Sequence, residues 1–186
     1  MKKNFVTQLF SICLFVVFTA VNVSAQQVTE AQVTFNIKNA GIGVDGSLGG
    51  FKGEINFNPQ QPENSKMEAS VDVSTIDTGI GMRDKHLKKD DYFDVEKYPR
   101  ISMKSTSIKS TGEGSYEGKF DLTIKGQTKE VTVPFIVDVS ENMYLIKGSF
   151  EINRRDFGVG GNSFMLSDDV TVSIELEAEH PKITGR

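Results

Sequence analysis

Apolar and polar residues alternate with a period of two along most of this chain, which is the mark of strands with one buried and one wetted face. Met67, Ala69, Val71 and Val73 alternate with Glu68, Ser70, Asp72 and Ser74. Tyr116, Phe120, Leu122 and Ile124 form a second set, and Val131, Val133, Phe135, Val137 and Val139 a third, in which Pro134 predicts an edge or a bulge. Tyr144, Ile146, Phe150 and Ile152 make a fourth, and Val170, Val172, Ile174, Leu176 and Ala178 the most regular of all. Ile101, Met103 and Ile108 add one more strand.

Residues 33–57 change apolar parity twice. Val33, Phe35 and Ile37 are odd, Ile42, Val44 and Leu48 even, and Phe51, Ile55 and Phe57 odd again, with Gly41 and the Gly49, Gly50 pair at the changes. A parity slip would turn a buried face to solvent unless an extra residue is absorbed, so bulges or corners are expected there. The connections are short, and Gly126 between two alternating runs is a hairpin signal. The pattern predicts an all-β fold: a single antiparallel up-and-down barrel of about eight strands, lipocalin-like, with one short helix near residues 83–90. Barrels of about this size either fill with side chains or hold one small ligand.

The longest segment outside this pattern is residues 74–99, where a helical turn, a dense charge cluster and several aromatics occur together. It is a lid for whatever the strands enclose. Asp84 near the start and Lys88 and Lys89 near the end of the predicted helix suit its dipole. Residues four apart share a helix face, so His86 pairs better with Asp90 than with Asp84.

The N-terminus changes the picture. A basic tip with Lys2 and Lys3, a mostly apolar run over residues 5–21, and small residues at Val23, Ser24 and Ala25 read as a secretory signal peptide over residues 1–25, which predicts a periplasmic or secreted protein. The run is too short for a bilayer span of roughly 20 residues, so no stable membrane span is expected after its removal. Residues 26–186 then form one domain. Loss of two lysines and no acids takes the formal charge from −4 to −6, which disfavours nucleic acid and anionic surfaces. Cys13, the only cysteine, leaves with the signal, so the domain folds without disulfides or thiolate ligands.

Chemistry-bearing motifs are sparse. Gly41, Gly43 and Gly46 match a dinucleotide fingerprint in spacing, but β-like sequence follows where a helix is required. Asp156, Phe157 and Gly158 match a kinase triplet without the rest of its set. His86 and His180 are the only histidines, and Asp90, Asp91 and Asp94 lack the loop spacing of a calcium site. No catalytic residue, metal site or cofactor is therefore assigned. The glycine-rich residues 157–166 read equally as a mouth flap and as a crossing that tucks Phe164 and Leu166 into the core.

Four motifs in order resemble the YceI-like family over nearly the whole domain. In the lid these are Ser74, Ile76, Asp77, Thr78 and Gly79, then Arg83, Asp84, His86 and Leu87, then Phe93, Asp94, Val95, Glu96, Lys97, Tyr98 and Pro99. Elsewhere they are Gly46, Phe51 and Gly53; Phe120 to Gly126 with Val131 and Val133; and Asn153, Arg154, Asp156, Phe157 and Gly158. The resemblance implies an exported lipocalin-like barrel whose elongated cavity binds an amphiphilic lipid such as a polyisoprenoid or fatty acid. Many members have a histidine where this chain has Asn39, which alters the polar contacts expected at the mouth.

On this basis the residues expected to line the cavity or fill the core, two roles the sequence does not separate, are Phe35, Ile37, Leu48, Phe51, Phe57, Val71, Met103, Phe120, Leu122, Phe135, Phe150, Ile152 and Ile174. The head-group candidates are Arg83, Asp84, His86 and Arg154. The favoured function is a non-enzymatic carrier acting by sequestration, with a homodimer left open. The alternatives are a filled barrel serving stress or interaction, and an enzyme using His86.

Overall fold

Nine strands and one short helix account for the regular structure in the computed structural model, which describes residues 25–179. The signal peptide expected over residues 1–25 lies outside the described residues apart from Ala25, as does His180. The strands are β1 Val28–Asn39, β2 Ile42–Leu48, β3 Lys52–Asn56, β4 Lys66–Asp72, β5 Arg100–Gly112, β6 Ser115–Ile124, β7 Gln127–Val139, β8 Met143–Asn153 and β9 Leu166–Glu179. All pairs are antiparallel, in the order β2-β1-β9-β8-β7-β6-β5-β4-β3. From β3 to β9 each strand lies beside its neighbours in sequence, as an up-and-down barrel requires.

The first parity change has a simpler cause than a bulge. Ala40 and Gly41 both have positive φ and form a two-residue hairpin, with Ile37 opposite Val44 and Phe35 opposite Gly46. A two-residue loop makes the paired numbers sum to an odd value, so inward residues are odd on β1 and even on β2 without any slip. The second change is a corner at Gly49 and Gly50. There the Asp72 N–H donates to the Gly49 carbonyl, and a Gly50 Cβ would lie 2.7 Å from the Asp72 Cβ. Splitting residues 33–57 into three strands gives nine in place of about eight.

A bulge does occur in β5, where the register against β6 shifts between Ser105 and Ser107. It brings Ile108 inward, although Ile101 and Met103 set the opposite parity. Pro134 pairs with Glu117 of β6, but the ladder to β8 begins only at Phe135. The preceding half of β7 is therefore a local edge, and the 3-10 turn Arg154–Phe157 packs against β7.

β2 and β3 end the strand order, and the sheet curls until the chain beside them meets. β2 covers only the Val33–Asn39 half of β1. Below it the Gln26 N–H donates to the Ile55 carbonyl of β3 (2.7 Å). The buried Gln26 carboxamide donates from Nε2 to the Phe57 carbonyl (2.7 Å) and accepts at Oε1 from the Phe57 N–H (3.2 Å). On the other side of the corner, Ser47 of β2 exchanges two backbone hydrogen bonds with Asp77 (2.8 and 3.1 Å). The seam is thus closed by single bridges and side chains in place of a ladder.

At this end of the barrel Phe57 meets Tyr116, Phe135 and Tyr144 edge-on, at centroid distances of 5.0, 6.0 and 6.1 Å, while Tyr116 and Phe135 stack. Burial, and secondarily Tyr116, pushes the Tyr144 phenol above its ordinary range. These rings form a dry plug. Gln26→Ala strips both partners from the buried Phe57 peptide groups, and a loss of about 2 kcal/mol is expected in urea unfolding. A midpoint within error of the parent would contradict the part assigned to Gln26.

Candidate functional site

Above the plug the barrel is hollow. A deep cavity of about 150 Å³ is walled by the inward faces of β1 to β9. A second chamber of about 140 Å³ lies toward the opposite end. Phe35, Leu48, Ile101, Ile124, Ile152 and Val172 border both, so the two chambers adjoin along the barrel. Its wall is almost wholly hydrocarbon, with Thr34, Ser70 and Ser102 the hydroxyl residues along the deep part. An apolar cavity of this size stays dry and accepts an apolar guest.

The lumen stays open because of three glycines at inward positions. A Cβ at Gly46 would lie 2.3 Å from the Phe35 ring, one at Gly118 would lie 2.4 Å from Phe120, and one at Gly53 would lie 2.7 Å from Phe51. Each ring therefore lies flat on bare backbone instead of standing across the barrel. Aromatic cover over a strand glycine is a known packing device. Sequence reading treated glycine as a corner signal, and only the register shows which glycines face the lumen and beneath which ring.

Twelve of the thirteen residues expected to line the cavity or fill the core border these chambers. Phe35, Leu48 and Ile152 border both chambers, Ile37 the outer one, and Phe51, Val71, Met103, Phe120, Leu122, Phe135, Phe150 and Ile174 the deep one. Phe57 takes the core role and not the lining one: at 1% exposure it is the centre of the plug and borders neither chamber. The rings of Phe35 and Phe51 and the side chains of Met103, Ile152 and Ile174 remain half-buried although they face inward, because empty space lies in front of them. Val33, Val133, Ile146 and Leu176, also on the wall, were not singled out, although their alternation marked them as inward.

The 74–99 segment covers the outer chamber. Its helix α1 spans Gly81–Leu87, starting two residues earlier and ending three earlier than expected, because the chain turns at Lys88 and Lys89 to send Tyr92 and Phe93 inward. Ile76, Thr78, Arg83, Leu87, Tyr92 and Phe93 border the chamber. The segment is tied down: the Gly160 N–H donates to the Asp91 carbonyl (2.9 Å), and Lys125 Nζ donates to the carbonyls of Asp90 (2.7 Å) and Gly158 (3.1 Å). Phe157 and Val159 are buried, Leu166 borders the chamber, and Phe164 stands fully outside.

The four head-group candidates separate. Arg83 borders the outer chamber and donates from Nε to Thr78 Oγ1 (2.7 Å) and from Nη2 to the Thr78 carbonyl (2.6 Å), which leaves three of its five N–H groups for other partners. Asp84 does not border the chamber. It accepts from the Thr78 N–H (3.0 Å) and hydroxyl (2.5 Å), so it holds Thr78 in place. His86 is corrected as well: its side chain is 56% exposed on the outside, edge-on to Tyr92, with Nε2 3.4 Å from Asp91. The pairing with Asp90 fails because the helix ends at Leu87.

Arg154 is 4% exposed and fully engaged. It donates to the carbonyls of Ser167, Val159, Gly161 and Leu166 and to Asp168 Oδ1 (2.8 Å), so it organises the 157–166 loop. Asn39 borders the outer chamber beside Arg83 and Thr78. Among the described residues no group of three His, Cys, Asp or Glu side chains converges to hold a metal ion. No described helix is long and apolar enough to cross a membrane.

This arrangement, a curled antiparallel wall around an apolar lumen plugged at one end and capped at the other, is a lipocalin-like β-barrel. The YceI-like domain matches residues 25–178, and the chain belongs to the YceI-like family. A UPF0312 protein of Ectopseudomonas mendocina is 30% identical over 159 residues, covering 82% of this chain and 83% of that protein. Burkholderia cenocepacia BcnA superposes with a TM-score of 0.76 at 26% identity, covering 80% of this chain and 96% of that one. A polyisoprenoid binding domain from Saccharophagus degradans, implicated in plant cell wall breakdown, shares the fold with a TM-score of 0.63 at 14% identity, covering 84% and 98%.

Two substitutions probe this construction. Gly118→Ala pushes the Phe120 ring into the lumen, and is expected to cost about 1–3 kcal/mol while shrinking the cavity seen by xenon uptake. An unchanged cavity would contradict the account of the open lumen. Arg154→Ala leaves several buried carbonyls unpaired, and a loss of about 3–5 kcal/mol in thermal or urea unfolding is expected, against little change for Arg83→Ala.

Proposed function

We propose that this chain is an exported carrier that sequesters a polyisoprenoid- or fatty-acid-like amphiphile in the barrel lumen without catalysing its conversion. The observation that carries this reading is the pair of adjoining hydrocarbon-walled chambers, the outer of which is bordered by Asn39, Thr78 and Arg83. Each methylene moved into such a space gains about 0.8 kcal/mol, so affinity accumulates along the chain with few polar contacts. Arg83, Asn39 and Thr78 suit a carboxylate or phosphate head group at the chamber that Arg83 borders. The two volumes together approach the lower end of ligand-site volumes, roughly 300–1,000 Å³, which favours a single chain over a double-chained lipid.

Membership of the YceI-like family and the fold shared with a polyisoprenoid binding domain support this reading. The apolar N-terminal run supports export, and a processed protein starting at Gln26 in the envelope or medium is the form in which it acts. His86, outside and away from the lumen, has no part in retention.

Native mass spectrometry of protein purified from its own cell envelope tests the proposal. The parent is expected to carry one lipid per chain. Val172→Trp, which puts an indole into the wall that both chambers share, lowers retention at least tenfold, and His86→Ala leaves it intact. A parent that arrives empty and refuses fatty acid and polyisoprenoid in titration, or a Val172→Trp protein that retains lipid like the parent, ends the carrier reading.

A further inference from the structure

Seven large apolar side chains are exposed among the described residues, and five of them stand on the three loops that frame the outer chamber. Ile42 opens β2 just after the β1–β2 hairpin, Ile80 and Met82 sit at the start of α1, and Phe164 and Met165 end the 157–166 loop. In each loop close neighbours turn inward: Asn39 and Val44 border the chamber beside Ile42, Thr78 and Arg83 beside Ile80 and Met82, and Leu166 beside Met165. The Ala40 N–H donates to the Met165 carbonyl (2.7 Å), which joins the hairpin to the late loop. Phe164 reaches 112% exposure and Met82 84%, so both project clear of the body. The remaining two, Ile136 and Val139, lie on the part of β7 near the plug.

We propose that this apolar rim docks the lidded end of the barrel onto a lipid bilayer, so that the guest chain passes between membrane and lumen without crossing water. The inference rests on the carrier reading and adds where the cargo is exchanged. Scattered exposed apolar residues are ordinary, but a set gathered on the loops of one end marks an interaction site. Continuity favours a bilayer, because the same loops carry apolar groups on the rim and on the chamber wall. The shape favours it too: single Phe, Met and Ile side chains standing out from loops suit insertion into a soft interface, whereas a protein partner is met by a close-packed patch.

Charge adds little to this docking. Lys85, Lys88 and Lys89 on the lid are followed by Asp90 and Asp91, and the chain as a whole is acidic with a formal charge of −4. Insertion of apolar side chains therefore governs binding, and zwitterionic phosphatidylcholine is a sufficient target.

The test uses phosphatidylcholine vesicles, flotation in a density gradient, and transfer of a fluorescent long-chain fatty acid from vesicle to protein. The processed protein is expected to float equally at low and high salt. A Met82→Ser, Phe164→Ser double variant, altered only at exposed positions, loses flotation and takes up fatty acid from vesicles at least tenfold more slowly. Its equilibrium affinity for the same fatty acid delivered from cyclodextrin stays at the parent value, and Ile136→Ser near the plug leaves every reading unchanged. A parent that binds fatty acid from cyclodextrin but does not float overturns the docking proposal alone. So does flotation that requires anionic lipid, or a double variant that floats and transfers like the parent. A parent that binds no fatty acid from cyclodextrin overturns the carrier reading, which flotation does not measure.

Discussion

Three phenylalanine rings lying flat on glycine backbone keep this barrel from filling itself. Protein interiors pack as densely as organic crystals, and an eight- or nine-stranded barrel is narrow enough for inward side chains to meet across its axis. Here Phe35, Phe51 and Phe120 lie against Gly46, Gly53 and Gly118, so three of the five phenylalanines along the deep chamber thicken the wall instead of crossing the lumen. The glycines forgo side-chain contacts in the sheet, and the rings recover part of that contact by covering them. The outcome is an apolar cavity with little polar surface to hold water.

An empty lumen costs dispersion contacts, and the structure offsets this at its two ends. Below, Phe57, Tyr116, Phe135 and Tyr144 pack ring against ring, with Gln26 sealing the peptide groups of Phe57 where the sheet lacks a ladder. Above, the 74–99 segment is held by half-buried polar anchors and the 157–166 loop by a buried one. Asp84 holds Thr78, Thr78 holds Arg83, and Arg154 gathers four carbonyls and Asp168. Two of the charged residues that look chemical in the sequence are thus loop supports. Burying the Arg154 cation in this way is tolerable because all five of its N–H donors are met.

The same arrangement divides the surface. Outer strand faces carry ordinary exposed ion pairs such as Lys104 with Glu68, Lys119 with Glu130 and Lys147 with Glu175, each cross-strand and of small energetic weight. Exposed hydrocarbon is concentrated instead on the loops around the outer chamber. A hollow interior and an apolar rim around its lidded end are consistent with one another, since both place hydrocarbon where a guest chain would travel.

Alternation of period two was enough to show the all-β class and the inward face of nearly every strand, because a strand's side chains can point only two ways. The lid was legible for the same reason in reverse, as the long stretch where that alternation stops. Sequence could not tell Phe57 in the plug from Phe120 on the wall, since both are inward aromatics and differ only in which strands stand opposite. Nor could it show that the parity change at Gly41 is a hairpin, that His86 faces away, or that Arg154 is consumed by carbonyls. Each of those depends on register and on contacts between residues distant in sequence, and whether an inward ring fills the barrel or lies along its wall was decided only when the glycine beneath it was brought into place.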